Sequence, residues 1–169
     1  LFRSAQILPR FDGAGFAFVD IGCGPGAYLA KIAPRYAFAQ GYEKVRPIRE
    51  LAKRRLESEG IFHVDLYGAF GTQSIPFDAD VLITEVLEHM PYDVASGLLR
   101  AVLRQKPRRV VVTVRSEEHT SELQSHYTTL FRSTTARRTP IVMKTMTGSL
   151  MQRSSRHSCS ALQAVCLRA

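Results

Sequence analysis

The chain has 169 residues, of which 45% are hydrophobic and 22% charged, enough for one compact domain with its own core. It has no run near the roughly 18 apolar residues of a membrane span, no apolar leader, and only three scattered cysteines, Cys23, Cys159 and Cys166; the expectation is a chain of the reducing cytoplasm, without a disulfide framework or a membrane partner. The net charge of +8 invites a nucleic-acid reading, but residues 1–114 carry 15 Lys+Arg against 12 Asp+Glu (+3) and residues 115–169 carry 8 against 3 (+5), so most of the excess lies outside the part patterned as a domain.

In chain order, 16–21 (Phe-Ala-Phe-Val-Asp-Ile) is a short apolar run ending at glycines, as a buried parallel strand should. Residues 27–33 read as a helix stopped by Pro34. A second strand at 38–42 is closed by Glu43. A helix over 45–59 follows, with Ile48, Leu51, Ala52 and Leu56 as its apolar face and Gly60 as its stop. Residues 61–67 alternate as a third strand, and 80–84 form a fourth after the loop 75–78. The next helix, 92–103, offers Val94, Leu98, Ala101 and Val102 to the core, and 109–114 form a Val-rich fifth strand. Strands alternating with helices predict a doubly wound, Rossmann-like α/β fold with a mostly parallel sheet and right-handed crossovers.

The segment Asp20-Ile-Gly22-Cys23-Gly24-Pro-Gly26 joins the first strand to the first helix. Glycines there permit backbone angles closed to other residues and let a ligand approach the main chain, and the free N–H groups of a helix start can face an anionic group. The run Val19 to Gly26 resembles motif I of the class I S-adenosylmethionine-dependent methyltransferases. The resemblance implies S-adenosyl-L-methionine as cofactor, with Asp20, Gly22, Cys23, Gly24 and Gly26 around it and Glu43, 17 residues after Gly26, on the ribose hydroxyls. It also implies a seven-stranded sheet of order 3-2-1-4-5-7-6. An acid after the third strand often reads the adenine amino group in this family; Asp65 is the nearest, although it falls inside the expected strand. An NAD(P)-binding oxidoreductase stays open, because Gly22-x-Gly24-x-x-Ala27 also satisfies the looser dinucleotide pattern. A noncatalytic cofactor-binding domain stays open too.

The fourth strand runs into Thr84-Glu85-Val-Leu-Glu88-His89-Met-Pro91. On a helical turn Glu85, Glu88 and His89 would share a face. A Glu-x-x-Glu-His run at this place is similar to that of many class I methyltransferases, and two readings follow. In the small-RNA 3′-terminal ribose 2′-O-methyltransferases (the Hen1 family) the pattern supplies metal ligands, which implies Mg²⁺ or Mn²⁺ on Glu85, Glu88 and His89 and an RNA 3′ end as methyl acceptor. In quinone-type O-methyltransferases the same residues, Glu85 included, shape the cofactor pocket, and the acceptor is a small molecule. Pro107 without a glycine pair, followed by the Val-rich strand, is similar to the RNA enzymes. The cluster Arg104, Lys106, Arg108 and Arg109 has two readings, a phosphate contact or a solvated helix end. Cys23 reads as a small buried residue and His63 as a strand-surface histidine.

The tetrapeptide Leu-Phe-Arg-Ser stands at 1–4 and again at 130–133. The eleven residues 115–125 and the seven residues 127–133 resemble the translation of the two halves of a common short-read sequencing adapter. That resemblance implies adapter-derived residues at 1–4 and 115–133, a methyltransferase domain over 5–114 truncated after its fifth strand, and an unrelated or disordered tail at 134–169. It removes any metal reading of Glu117, Glu118, His119 and His126. Ten of the 36 tail residues are Ser or Thr and none is acidic, so no fold is assigned there. A sheet cut at this point would leave the fifth strand as an exposed edge, an aggregation liability that would keep the chain from acting as a stable enzyme.

Overall fold

The computed structural model describes residues 7–71, 74–116 and 141–147. In chain order its regular elements are β1 (Ala17–Ile21), α1 (Ala27–Ile32), β2 (Phe38–Tyr42), α2 (Arg46–Ser58), β3 (Val64–Tyr67), β4 (Ala79–Thr84), α3 (Tyr92–Arg104), β5 (Arg109–Ser116) and β6 (Ile141–Thr147). Short 3₁₀ turns sit at Leu8–Arg10, Ala33–Arg35 and Leu87–His89. The strands form one sheet of order β3-β2-β1-β4-β5-β6 in which every pairing is parallel. The doubly wound α/β expectation therefore holds.

Both faces of the sheet are covered, which is why the central strands read as continuous apolar runs rather than alternating ones. Ala17, Val19, Ile21, Val81, Ile83, Val110 and Val112 pack on one face with Ala95, Leu99 and Val102 of α3. Phe18, Leu82 and Val111 point the other way, against Leu29 and Ile32 of α1, Leu56 of α2, and Ile7 and Phe11 of the N-terminal segment. The helix stripes differ slightly from those expected. Leu51 and Val94 are about half exposed, whereas Ala95 and Leu99 are fully buried. β3 begins at Val64, so His63 precedes the strand; its Nε2 lies 3.0 Å from the Ala33 carbonyl oxygen.

The expectation of an exposed fifth strand is corrected. β5 runs on to Ser116, and Ile141–Thr147 lies beside it in parallel register, from Val110 opposite Ile141 to Ser116 opposite Thr147. With 141–147 beside it, β5 is not an open edge. The physical reason is the unpaired row of N–H and C=O groups that β5 would otherwise present, together with the β-favouring Ile, Val and Thr of 141–147. The resulting order is also that of dinucleotide-binding sheets, so strand order does not choose between the two ligand classes left open by the sequence. Residues 1–4, 117–140 and 148–169, which hold most of the adapter-like and tail segments, lie outside the described residues.

The amino-terminal end of the sheet is closed by ion pairs. Arg108 contacts Asp80 at its Oδ2 and Asp12 at 2.8 Å, and Arg109 reaches Asp12 at 3.1 Å. The Tyr36 hydroxyl donates to Asp80 Oδ2 at 2.6 Å. Arg35 donates to the Leu8 and Phe11 carbonyls at 3.2 and 2.8 Å, fastening the N-terminal segment across this end. The Ala14 N–H and the two guanidinium groups hold the Asp12 carboxyl below the usual carboxylate range. Arg108 and Arg109 of the sequence's basic cluster are therefore engaged within the fold.

Asp80 is fully buried and Asp12 is half exposed, which sets the expected cost of removing each. Asp80→Ala removes the buried acceptor shared by the Arg108 guanidinium and the Tyr36 hydroxyl and should cost about 3 kcal/mol in urea unfolding, whereas Asp12→Ala should cost under about 1 kcal/mol because solvent screens the pair. Equal losses would mean that Asp80 does not anchor this end.

Candidate functional site

Parallel strands bring all their carboxyl ends to one rim. Consecutive strands run β1 to β2 to β3 in one direction from the centre and β4 to β5 in the other, so the connections diverge between β1 and β4 and leave a crevice there. A cavity of about 260 Å³ lies on this rim, lined by Ile21 at the end of β1 and Gly22 after it, Tyr42 at the end of β2 with Glu43 and Lys44 after it, Ala69 and Phe70 after β3, and Glu85 and Val86 after β4. His89, Met90 and Leu98 form the wall toward α3.

The glycine loop forms because β2 holds it. The Tyr42 carbonyl accepts N–H bonds from Gly22 at 2.8 Å and Cys23 at 3.0 Å, and the Cys23 carbonyl accepts from Gly26 at 3.0 Å. Gly22 has φ +77°, and a Cβ there would collide with Val86 Cγ2. Gly24 has φ +53° and faces open space, with no atom within 4 Å of where its Cβ would be. Glu43 is tied to this loop. One carboxylate oxygen accepts from the Gly24 N–H at 3.2 Å and the other from the Val45 N–H at 2.8 Å, while Arg49 donates to the Glu43 carbonyl at 2.7 Å.

Asp20 sits beneath the loop. It is 1% exposed, and among the described residues neither carboxylate oxygen has a hydrogen-bond partner. Burial, with added repulsion from Glu43, pushes its carboxyl up to about 8. Cys23 faces the α1/α2 core rather than the cavity; burial, Asp20 and Glu43 all raise its thiol, so it is the inert small residue expected. Its contribution to the site is its backbone.

The remaining expected site residues are placed differently. Asp65 lies within β3, exposed and accepting a 3.2 Å bond from the Tyr67 hydroxyl, and it does not line the cavity. The position after β3 is taken instead by Phe70, which packs edge-on against Tyr42 at 5.1 Å. The sequence offers an acid near this position and carries no signal that singles out the aromatic. Glu85 and His89 line the cavity, but Glu88 does not. The shared helical face fails because Glu85 is not helical. It has φ +52°, its N–H donates to the Thr113 carbonyl at 3.1 Å, and only Leu87–His89 turn, as 3₁₀. Among the described residues no three His, Cys, Asp or Glu side chains are gathered as a metal site. The arrangement does not fit a metal on Glu85, Glu88 and His89. It does fit an organic cofactor with an amino-acid portion: an open glycine backbone, a carboxylate on the loop, and an unpartnered buried carboxylate below it.

Two outcomes follow from this geometry. Asp20 keeps a proton in the folded chain that the unfolded chain loses near its ordinary pKa of about 4. Its stabilising contribution is therefore complete below about pH 4 and declines as pH rises toward 8. Asp20→Asn should flatten that decline in chemical denaturation between pH 5 and 8; an unchanged slope would contradict the assignment. Gly24→Ala meets no atom in the fold, so it should cost only about 1 kcal/mol, from its positive φ, yet weaken cofactor binding at least about tenfold, one decade being about 1.4 kcal/mol.

No family model and no curated protein matches the chain. Solved structures do resemble it. The methyltransferase domain of bacterial CtHen1 is 18% identical with a TM-score of 0.55 over 65% of this chain and 63% of that one. The mitomycin 7-O-methyltransferase MmcR is 21% identical with a TM-score of 0.56 over 73% of this chain and 43% of that one. Magnesium protoporphyrin IX methyltransferase (ChlM) from Synechocystis PCC 6803, with bound SAH, is 17% identical with a TM-score of 0.59 over 77% of this chain and 60% of that one. The chain spans less than two thirds of each of these proteins. What it shares with them is the fold: a Rossmann-like α/β sheet of the kind found in S-adenosylmethionine-dependent methyltransferases.

Proposed function

We propose that the chain is the cofactor-binding part of an S-adenosylmethionine-dependent methyltransferase. The observation that carries this reading is the crevice between β1 and β4, lined by Gly22 of the glycine loop and by Glu43, which is bonded to the Gly24 N–H. The fold shared with methyltransferases supports it, one of them holding SAH. When bound, the cofactor supplies an electrophilic methyl group for direct displacement. The chain's own task is positioning. Gly24 offers an approachable backbone, Glu43 can exchange its loop N–H groups for ribose hydroxyls, and Phe70, Val86, Met90 and Leu98 give the cavity an apolar, water-excluding wall.

The acceptor reading that this wall supports better is a hydroxyl of a small apolar molecule, taken without a metal. The RNA 3′-terminal ribose reading rests on Pro107 and the Val-rich β5, and it would need Glu85, Glu88 and His89 to converge. The parsing of 1–4 and 115–133 as adapter-derived is part of the same proposal: transfer activity then belongs to the parent protein and cofactor binding to this chain. A long-read sequence of the source gene across codons 105–140 tests it, and adapter codons found in the genome would contradict it.

Thermal denaturation tests the cofactor. S-adenosylhomocysteine should raise the midpoint of this chain while NAD(P) leaves it unchanged, and the reverse would establish the oxidoreductase reading. With the parent protein, methyl transfer to a quinol-type acceptor should persist in EDTA. Transfer to a short RNA 3′ end that requires Mn²⁺ would overturn the small-molecule reading, and binding without transfer to either acceptor would point to a noncatalytic cofactor-binding domain.

A further inference from the structure

The cavity holds about 260 Å³, less than the roughly 300–1,000 Å³ of pockets that enclose one drug-sized ligand. A cofactor and a methyl acceptor therefore cannot both lie within it. Gly22 and Glu43 give the cofactor its side of the cavity, which leaves the acceptor the side toward α3, where Met90 and Leu98 form the wall. That wall does not stop at the cavity. Met90 and Leu98 are partly buried, packed on the core beneath α3. Val94 stands four residues before Leu98, on the same side of the helix and one turn nearer its start. It is 51% exposed, whereas Ala95 next to it is fully buried against the sheet. An apolar strip thus runs from the cavity onto the surface of α3. The charges along it are acidic: Asp93 is the only charged residue from Tyr92 to Leu98, the preceding connection carries Glu85 and Glu88, and the first cation of α3, Arg100, comes after Leu98. Such a strip repels a phosphodiester backbone and suits an uncharged, apolar molecule.

We infer that Val94 and Leu98 are specificity residues of the acceptor site: the acceptor is a neutral hydroxyl compound whose reacting end enters the cavity and whose apolar remainder lies outside it, along this strip of α3. The inference rests on the small-molecule methyltransferase reading and deepens it, since it makes the acceptor longer than the cavity. Covering Val94 and the exposed parts of Met90 and Leu98 removes apolar surface from water on both partners. These residues touch the remainder of the acceptor and not the cofactor. They therefore set which acceptor binds and leave the contacts at Gly24 and Glu43 unchanged.

Calorimetric titration of the full chain, saturated with S-adenosylhomocysteine, with 4-alkylphenols from methyl to pentyl tests this. Hydroxyl and ring stay constant and only the tail lengthens. Each methylene laid on the strip should tighten binding about two- to fourfold, the upper figure being that of a fully buried methylene. Val94→Ser should remove most of that dependence for the longer tails and leave S-adenosylhomocysteine binding as in the wild type; its half-exposed place on α3 lets the variant fold. Should it not fold, the wild-type series decides by itself. Affinity independent of tail length, or a Val94→Ser variant that keeps the full dependence, overturns the strip as part of the acceptor site while leaving the cofactor reading standing. A short RNA with a free 3′ end that binds the loaded chain more tightly than 4-pentylphenol overturns the neutral acceptor. Failure of S-adenosylhomocysteine to bind overturns the cofactor reading and this inference with it.

Discussion

The site depends on one backbone acceptor, the Tyr42 carbonyl at the end of β2. It takes two N–H groups from the loop that leaves β1, Gly22 and Cys23, and so turns the chain sharply over the neighbouring strand instead of letting it run on. The turn demands left-handed backbone at Gly22, and it places Gly22 against Val86 at the start of the β4 connection. From there the rest follows. Gly24 is held clear of other atoms, Glu43 reaches back to its N–H, and Asp20 is sealed underneath. Any side chain at Gly22 would displace Val86 and narrow the crevice between β1 and β4.

The sheet has two different ends, and the difference has a physical logic. The amino-terminal rim is fastened by paired charges: Arg108 and Arg109 on Asp12, Arg108 and Tyr36 on Asp80, and Arg35 on the N-terminal segment. The carboxyl-terminal rim carries a buried acid without a partner among the described residues, an exposed glycine backbone, and Glu85 in left-handed conformation, which costs a non-glycine residue on the order of 1 kcal/mol. Stability is concentrated at one end and strain at the other, the distribution expected when the second end exists to meet a ligand.

Much of this was legible in the sequence, and the limits have identifiable causes. β1, β2, β4 and β5 could be placed because strands buried on both faces leave unbroken apolar runs, and the loop because its glycines follow such a run directly. Glu43 could be placed beside the loop because a strand end fixes where its side chain emerges. The Glu85, Glu88 and His89 face was not legible, since helical spacing was assumed across a residue whose φ is +52°. Asp65 looked like the natural ligand after β3, but a pleated strand carried it to solvent while Phe70 took the cavity. β6 could not be foreseen, because what recruits it is the open edge of β5 rather than any pattern of its own. The isolation of Asp20 is likewise a property of its surroundings and not of its spacing.

The most direct test of the account is amide hydrogen exchange of the chain with and without S-adenosylhomocysteine. The account predicts slowed exchange confined to Gly22, Cys23, Gly24 and Gly26, the turn from Glu43 to Val45, and Glu85 and Val86, with the Asp12 and Arg108 end unchanged. Protection at the amino-terminal rim, or no change at the glycine loop, would contradict the placement of the cofactor between β1 and β4.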